Sequence, residues 1–190
     1  MYYISEIEGV VRVSPKLFDT DLKKAILTQL KENYEGKIND TLGIIVYVEK
    51  ILSIEEGVLI PGDGGAYYKT KFIAIHYIPE INELIEGEIR DIAKFGAFID
   101  FGPMEGMVHL SQTMDDFVSL SKQGTLQGKA SKRSLKQGDK VRARIIAVSL
   151  KDPENPKIGL TMRQPALGKI DWLIEEAQKE AKAAKSAKAE

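Results

Sequence analysis

Hydrophobic and polar positions follow two successive regimes along the chain. From Tyr2 to Val13, β-branched and aromatic residues predict a strand, with Gly9 in mid-run marking a bulge or bend. Ser14-Pro15 then supplies a helix start, an N-cap followed by the residue suited to the first helical position. Phe18, Leu22, Ala25, Ile26 and Leu30 recur at three- and four-residue steps until Gly36, which predicts a helix with one face packed on a sheet. The run Leu42–Ile54 reads as one long or two short strands, and Val58-Leu59-Ile60 as another. Pro61-Gly62-Asp63-Gly64-Gly65 reads as a hairpin tip, because three glycines can take a positive φ. Alternation over Ala66–Tyr77 places Lys69, Lys71, Ile73 and Ile75 on one face and Tyr68, Thr70, Phe72 and Ala74 on the other. The order β-α-β-β-β predicts an α+β first domain over residues 1–80. Its apolar run Ile44–Val48 needs cover on both faces, and one helix cannot supply it, so a second chain is expected.

Pro79 ends that regime, and shorter strands follow. They are centred on Gly87–Ile92, Phe95–Phe101, Gly106–Ser111, Gly138–Ile145 and Ile158–Arg163. Five short strands in this order predict a small Greek-key barrel of the oligonucleotide-binding (OB) type over residues 82–165. Alternation turns Ala97, Ile99, Phe101, Val108, Leu110, Val141, Ala143 and Ile145 inward and leaves Phe98, His109, Arg142 and Arg144 outside. Between Phe117 and Gly138 the chain carries Lys122, Lys129, Lys132, Arg133 and Lys136 with no acid, which predicts a mobile basic loop. Residues 166–190 read as a helix with Leu167, Ile170, Ile174 and Ala177 on one stripe, fraying into an Ala/Lys tail.

Charge and composition narrow the function. With 27 basic and 28 acidic residues among 190, any nucleic-acid contact must be a local patch. Up to Ile81 there are nine basic and twelve acidic residues, whereas Asn82–Pro165 has thirteen and eleven, so the barrel is the more basic half. Absence of Cys removes disulfides, thiolate catalysis and cysteine metal sites, and only His76 and His109 could offer imidazole. No cofactor is expected. No stretch approaches the roughly 20 apolar residues of a membrane span, so a soluble, cytoplasmic chain is expected.

No nucleophile elbow, phosphate-loop signature or metal-binding carboxylate motif stands in the sequence, and a non-enzymatic role is expected. The Gly62–Gly65 cluster leads into a strand, whereas anion cradles open onto a helix. Asp115-Asp116 is explained by a solvated loop, and His76, on the Phe72 face, by a structural role. Phe98 and His109 leave two readings open: a stacking platform for single-stranded bases beside cations, or Phe98 packed under the long loop with His109 hydrogen-bonded to backbone.

The Phe-Gly-Ala-Phe, Gly-x-Val-His-x-Ser, Gly-Asp-x-Val and Leu-Thr-Met-Arg elements over Leu84–Arg163 resemble the S1-type RNA-binding domain. That resemblance implies RNA-facing roles for Phe95, Phe98 and His109, and for Lys157 as the basic residue before the fifth strand. Lys129, Lys132, Arg133, Arg142 and Arg144 add candidate phosphate contacts. Where the S1 pattern has an Asp at the end of the fourth strand, this chain has Ser149 followed by the extra Leu150–Pro156. With Pro61–Gly65, Gly102–Gly106, Ser111–Asp116 and Leu167–Trp172, nearly the whole chain resembles the E′ subunit family of archaeal RNA polymerase, counterpart of the seventh subunit of eukaryotic RNA polymerase II. The resemblance implies a stalk subunit with a truncated ribonucleoprotein-like first domain. It also implies a heterodimer with the F subunit of the polymerase, docking on core subunits and contact with emerging single-stranded RNA. Leu59, Ile60, Pro61, Gly62, Asp63, Gly64 and Gly65 are the expected docking element. The rival reading is a free-standing S1-domain protein of translation or RNA decay.

Overall fold

A computed structural model of the chain describes residues 1–121, 124–153 and 155–186, with residues 180–186 described by their backbone. They group into two compact units, one of Met1–Pro79 with Leu150–Asn155 and one of Glu80–Ser149 with the chain from Pro156 onward.

The first unit contains β1 (Tyr2–Val13), α1 (Leu22–Tyr34), β2 (Ile38–Asn39), β3 (Gly43–Ile54), β4 (Val58–Leu59) and β5 (Ala66–Tyr77). The central strand is β5, which pairs antiparallel with β1 on one edge and with β3 and then β4 on the other, while β2 pairs with β3. Helix α1 lays Ala25, Ile26 and Leu30 on Val11, Val13, Ile45, Val48, Phe72 and Ala74, making one core on one face of the sheet. His76 is buried at its end, with Nδ1 2.7 Å from the Leu42 carbonyl and Nε2 2.8 Å from the Ser5 hydroxyl, a structural role.

Local chemistry moves three features from their expected places. The helix starts at Leu22, because Asp21 accepts the Lys24 amide (3.1 Å), while the Thr20 hydroxyl closes a separate 3₁₀ turn over Pro15–Leu17; Phe18 and Leu22 stay exposed. Gly9 forms no bulge: it stands opposite Thr70 in an unbroken register, and a side chain there would collide with the ring of Tyr34, which packs on Phe72 at 5.1 Å. In β3 the bulges occur elsewhere, between Ile45 and Tyr47, Val48 and Lys50, and Ile51 and Ser53. One extra residue per three gives the strand a burial period of three, so Ile45, Val48, Ile51 and Ile54 face the core and Val46, Tyr47 and Leu52 face out.

The hairpin tip owes its shape to a carboxylate more than to its glycines. Gly62 alone of the three has a positive φ, 90°, whereas Gly64 and Gly65 do not need one. Asp63 folds the turn back on the sheet by accepting from the Gly65 amide (3.0 Å), Arg12 Nε (2.9 Å), Arg12 Nη2 and the Tyr67 hydroxyl. Those donors, Arg12 first, hold the Asp63 carboxyl well below the usual carboxylate range.

In the second unit β6 (Leu84–Ala93), β7 (Gly96–Asp100), β8 (Glu105–His109), β12 (Lys140–Ser149) and β13 (Lys157–Thr161) form the closed ring β13-β8-β7-β6-β12, shut by pairing of β12 with β13. The interior holds Ile85, Ile89, Ala97, Ile99, Val108, Val141, Ala143, Ile145, Ile158 and Leu160, the OB barrel expected from alternation. Phe101 and Leu110 are partly buried. The segment expected to be a mobile loop instead contains β9 (Val118–Leu120), β10 (Leu126–Gly128) and β11 (Ser134–Leu135), a small antiparallel sheet. It has its own anchors, Val118, Leu126, Leu135 and Met114, all buried. Lys122 lies outside the described residues. After β14 (Gly168–Lys169), which pairs with β12, α2 (Ile170–Ser186) begins. Its half-buried face carries Trp172, Leu173 and Glu176, whereas Ile174 and Ala177 are exposed and Leu167 precedes the helix, so the expected stripe is rotated. Lys169 ties the start of α2 to Asp139 (2.9 Å) and Asp171 (3.3 Å). Residues 187–190, the end of the expected frayed tail, lie outside the described residues.

Two outcomes test this packing. Ile45→Ala should destabilise the chain by about 2–5 kcal/mol, whereas Leu52→Ala, in the same apolar run, should stay within about 0.5 kcal/mol, measured by denaturant unfolding. The depressed Asp63 pKa contributes stability that is present above the unfolded carboxylate value of about 3.9 and is lost as pH falls through the lower folded value. The wild type should therefore lose melting temperature below about pH 4 more steeply than Asp63→Asn.

Candidate nucleic-acid interface

The tightest approach in the barrel wall lies between β7 and β8. Gly96 stands opposite His109, and any Cβ on it would press into the Val108 carbonyl oxygen, so this end of β7 tolerates only glycine. The carbonyl of Phe95 accepts the Leu110 amide (2.9 Å), which fixes the turn into β7 against the end of β8. Two outward rings result. Phe95 is 53% exposed and Phe98 half-buried, their centroids 6.0 Å apart at 89°, an edge-to-face pair in which Phe95 is the more open ring. His109 is exposed on the adjacent strand, and its Nδ1 accepts the Ser111 amide (3.3 Å), which assigns the proton of the neutral ring to Nε2.

The sheet register adds two residues that sequence reasoning missed. Met107 pairs with Phe98, and Gly159 on β13 pairs with Met107, so Phe98, Met107 and Gly159 form a row across three strands. Period-two alternation from His109 already puts Met107 on the outer face; the position of Gly159 required knowing that β13 runs parallel to β8. Such a row, with the half-buried Phe98 at one end beside the more open Phe95 and a flat glycine at the other, can stack unpaired bases.

The candidate cations do not converge on this row as expected. Arg142 and Arg144 lie on β12, two strands from β7 through β6 and three through β8 and β13, and so face another side of the barrel. Arg142 is also bound by Glu86 (2.8 Å), and the Nε of Arg144 is buried with no partner among the described residues. Lys157 is exposed at the start of β13, opposite Ser149, two residues from Gly159 on the same face. Arg133 is turned to a structural use: its guanidinium pairs with Glu176 and lies 5.2 Å from the Trp172 ring centre, fastening the small sheet to α2. Lys129 and Lys132 remain exposed there, Lys132 in a left-handed turn.

Asp115 and Asp116 are explained without a metal. Asp115 pairs with Arg163 at 2.7 Å, and Asp116 accepts from the amides of Phe117, Ala130 (2.9 Å) and Ser131 (2.8 Å) and from the Ser131 hydroxyl. These bonds, Ser131 first, lower its pKa. Among the described residues no group of three or more His, Asp or Glu is placed to hold a metal ion. In the first unit Leu59 is 69% exposed, and Ile60, Pro61, Gly62 and Gly64 are exposed beside it, with Asp63 half-buried and Gly65 buried.

Two family models match the chain: the SHS2 domain found in the N terminus of Rpb7p/Rpc25p/MJ0397 over residues 8–64, and the S1 RNA binding domain over residues 78–154. DNA-directed RNA polymerase subunit Rpo7 of Saccharolobus solfataricus is 38% identical over 177 residues, 92% of this chain and 98% of that one. Its counterpart in Sulfolobus acidocaldarius is 37% identical over 96% of this chain and all of that one. DNA-directed RNA polymerase II subunit RPB7 of Saccharomyces cerevisiae is 26% identical over 57% of this chain and 64% of that one. The archaeal matches run through both units, which a free-standing protein sharing only the barrel would not produce. The chain belongs to the Rpo7 family of DNA-directed RNA polymerase subunits.

Proposed function

We propose that the chain is a stalk subunit of RNA polymerase that docks on the core through Leu59–Gly65, pairs with the polymerase's F subunit and holds emerging single-stranded RNA on its barrel. Family membership makes it a non-catalytic subunit of DNA-directed RNA polymerase. What carries the RNA reading is the joint position of Phe95, Phe98 and His109 on neighbouring strands, an exposed aromatic pair with an outward N–H donor beside it. Exposed Lys157, Lys129 and Lys132 offer the backbone charge term.

The docking reading rests on the tip's exposed Leu59 and Ile60, an apolar anchor beside a clamped turn. Heterodimer formation with the F subunit is supported by Ile4, Val46, Tyr47 and Leu52, apolar side chains that the sheet leaves uncovered. No described helix is long and apolar enough to cross a membrane, and a cytoplasmic place is proposed with the polymerase.

Phe98→Ala should weaken binding of single-stranded RNA by roughly 1–3 kcal/mol without changing the salt slope. Lys129→Gln with Lys132→Gln should instead flatten that slope, by about 0.7 log unit per lost phosphate contact. Fluorescence anisotropy across a salt series separates the two, and wild-type binding by both variants would remove the assignment of RNA to this face of the barrel. Leu59→Asp should reduce recovery of core polymerase in a pull-down while leaving heterodimer formation and RNA affinity intact; undiminished recovery would remove the docking role.

A further inference from the structure

Phe117 is 67% exposed, yet it stands on one of the most firmly held turns in the second unit. Asp116 before it gathers three amides and a hydroxyl, Val118 after it is buried, and its own carbonyl accepts the Lys129 amide (3.0 Å). Gly128 completes the knot, since a Cβ there would meet the Ser131 hydroxyl at 2.6 Å and the Met114 sulfur at 2.9 Å. A ring left in water on a rigid mount loses little conformational freedom when something stacks on it. Lys129 places its ammonium 4.3 Å from the ring centre, a cation beside an aromatic face.

The mount leaves the barrel at the end that carries Phe95 and His109. Gln112, just after His109, bonds the Thr161 hydroxyl (2.8 Å) and the Met162 amide (2.8 Å), and Asp115 holds Arg163, so the chain stays bound to that end as far as the small sheet. Seven residues lie between His109 and Phe117, eight Cα steps that span at most about 29 Å.

We infer that Phe117, with Lys129 at its face and Lys132 nearby, is a second stacking site for the same single-stranded RNA, so that a strand laid on Phe95 and Phe98 continues onto the β9–β11 sheet. An aromatic ring joined to cations, with the neighbouring acid sequestered by amides, fits a base and its phosphates better than an acidic peptide. The inference rests on the RNA reading of the barrel and predicts a footprint longer than the Phe95–Phe98 row alone.

The full chain is titrated with single-stranded RNA of about four and about sixteen nucleotides, the range of OB-fold site sizes. Phe117→Ala should weaken binding of the long strand about tenfold and leave the short strand unchanged, whereas Phe98→Ala should weaken both. Phe117→Trp should keep the long-strand affinity and show fluorescence quenching on binding beyond that of Trp172 alone. Because the ring is exposed, Phe117→Leu serves as the folded control that keeps apolar bulk without aromaticity, and it should behave as Phe117→Ala. If Phe98→Ala weakens binding while Phe117→Ala binds the long strand like wild type, this inference falls and the barrel reading stands. If the wild type binds neither strand, both fall. Lower recovery of core polymerase with Phe117→Ala at unchanged long-strand affinity would make Phe117 a protein contact and overturn the inference.

Discussion

The close pairing of β7 with β8 at Gly96 is the constraint on which the rest of the second unit depends. Without a Cβ at Gly96 the strands can meet at the Val108 carbonyl, and that contact fixes the height at which Phe95 and Phe98 leave the barrel. The same junction turns the chain after His109 into Leu110–Gln112, whose bonds to Phe95, Thr161 and Met162 aim the following segment at the small sheet. One backbone approach thus positions the aromatic pair, the imidazole and the root of the second aromatic mount. A larger residue at 96 would disturb all three together, which is why a glycine between two aromatics carries more information than either aromatic alone.

Electrostatics in this chain are local. The formal charge of −1 hides a surface on which five of the six arginines are already paired: Arg12 with Asp63, Arg90 with Glu105, Arg142 with Glu86, Arg163 with Asp115 and Arg133 with Glu176. Exposed pairs of this kind contribute little to stability, about 0–1 kcal/mol each, but they remove charges from the supply available to an anionic partner. Among the described residues Lys129 and Lys132 make no ion pair. Lys129 and Lys132 therefore stay available on the small sheet, close in sequence to its exposed ring, as Lys157 does on β13.

What was legible in the sequence follows from how local each signal is. Strict alternation along β5 and through the barrel strands told inside from outside, because a half-buried strand has a period of two. In β3 the same logic fails, since three bulges convert the period to three and expose Leu52 beside the core-facing Ile51. The helix start misled for a related reason: Ser14-Pro15 satisfies the rules for a helix opening, but Thr20 and Asp21 make competing side-chain bonds that place the cap seven residues later. The run between Phe117 and Gly138 read as loop because its strands are two or three residues long and its organising bonds come from Asp116, outside the run. The side of the barrel on which Arg142 and Arg144 stand was not legible, because position around a closed barrel depends on pairing that no single strand displays.

The central claim is that RNA lies along one side of the barrel, from the Phe98–Met107–Gly159 row past Phe95 and His109. Chemical-shift mapping tests it most directly, with the isotopically labelled full chain titrated with single-stranded RNA. The account predicts perturbations concentrated at Phe95, Phe98, Met107, His109 and Gly159, with β12 around Arg142 and Arg144 silent. Perturbations centred on β12, with the β7 and β8 signals unmoved, would contradict it.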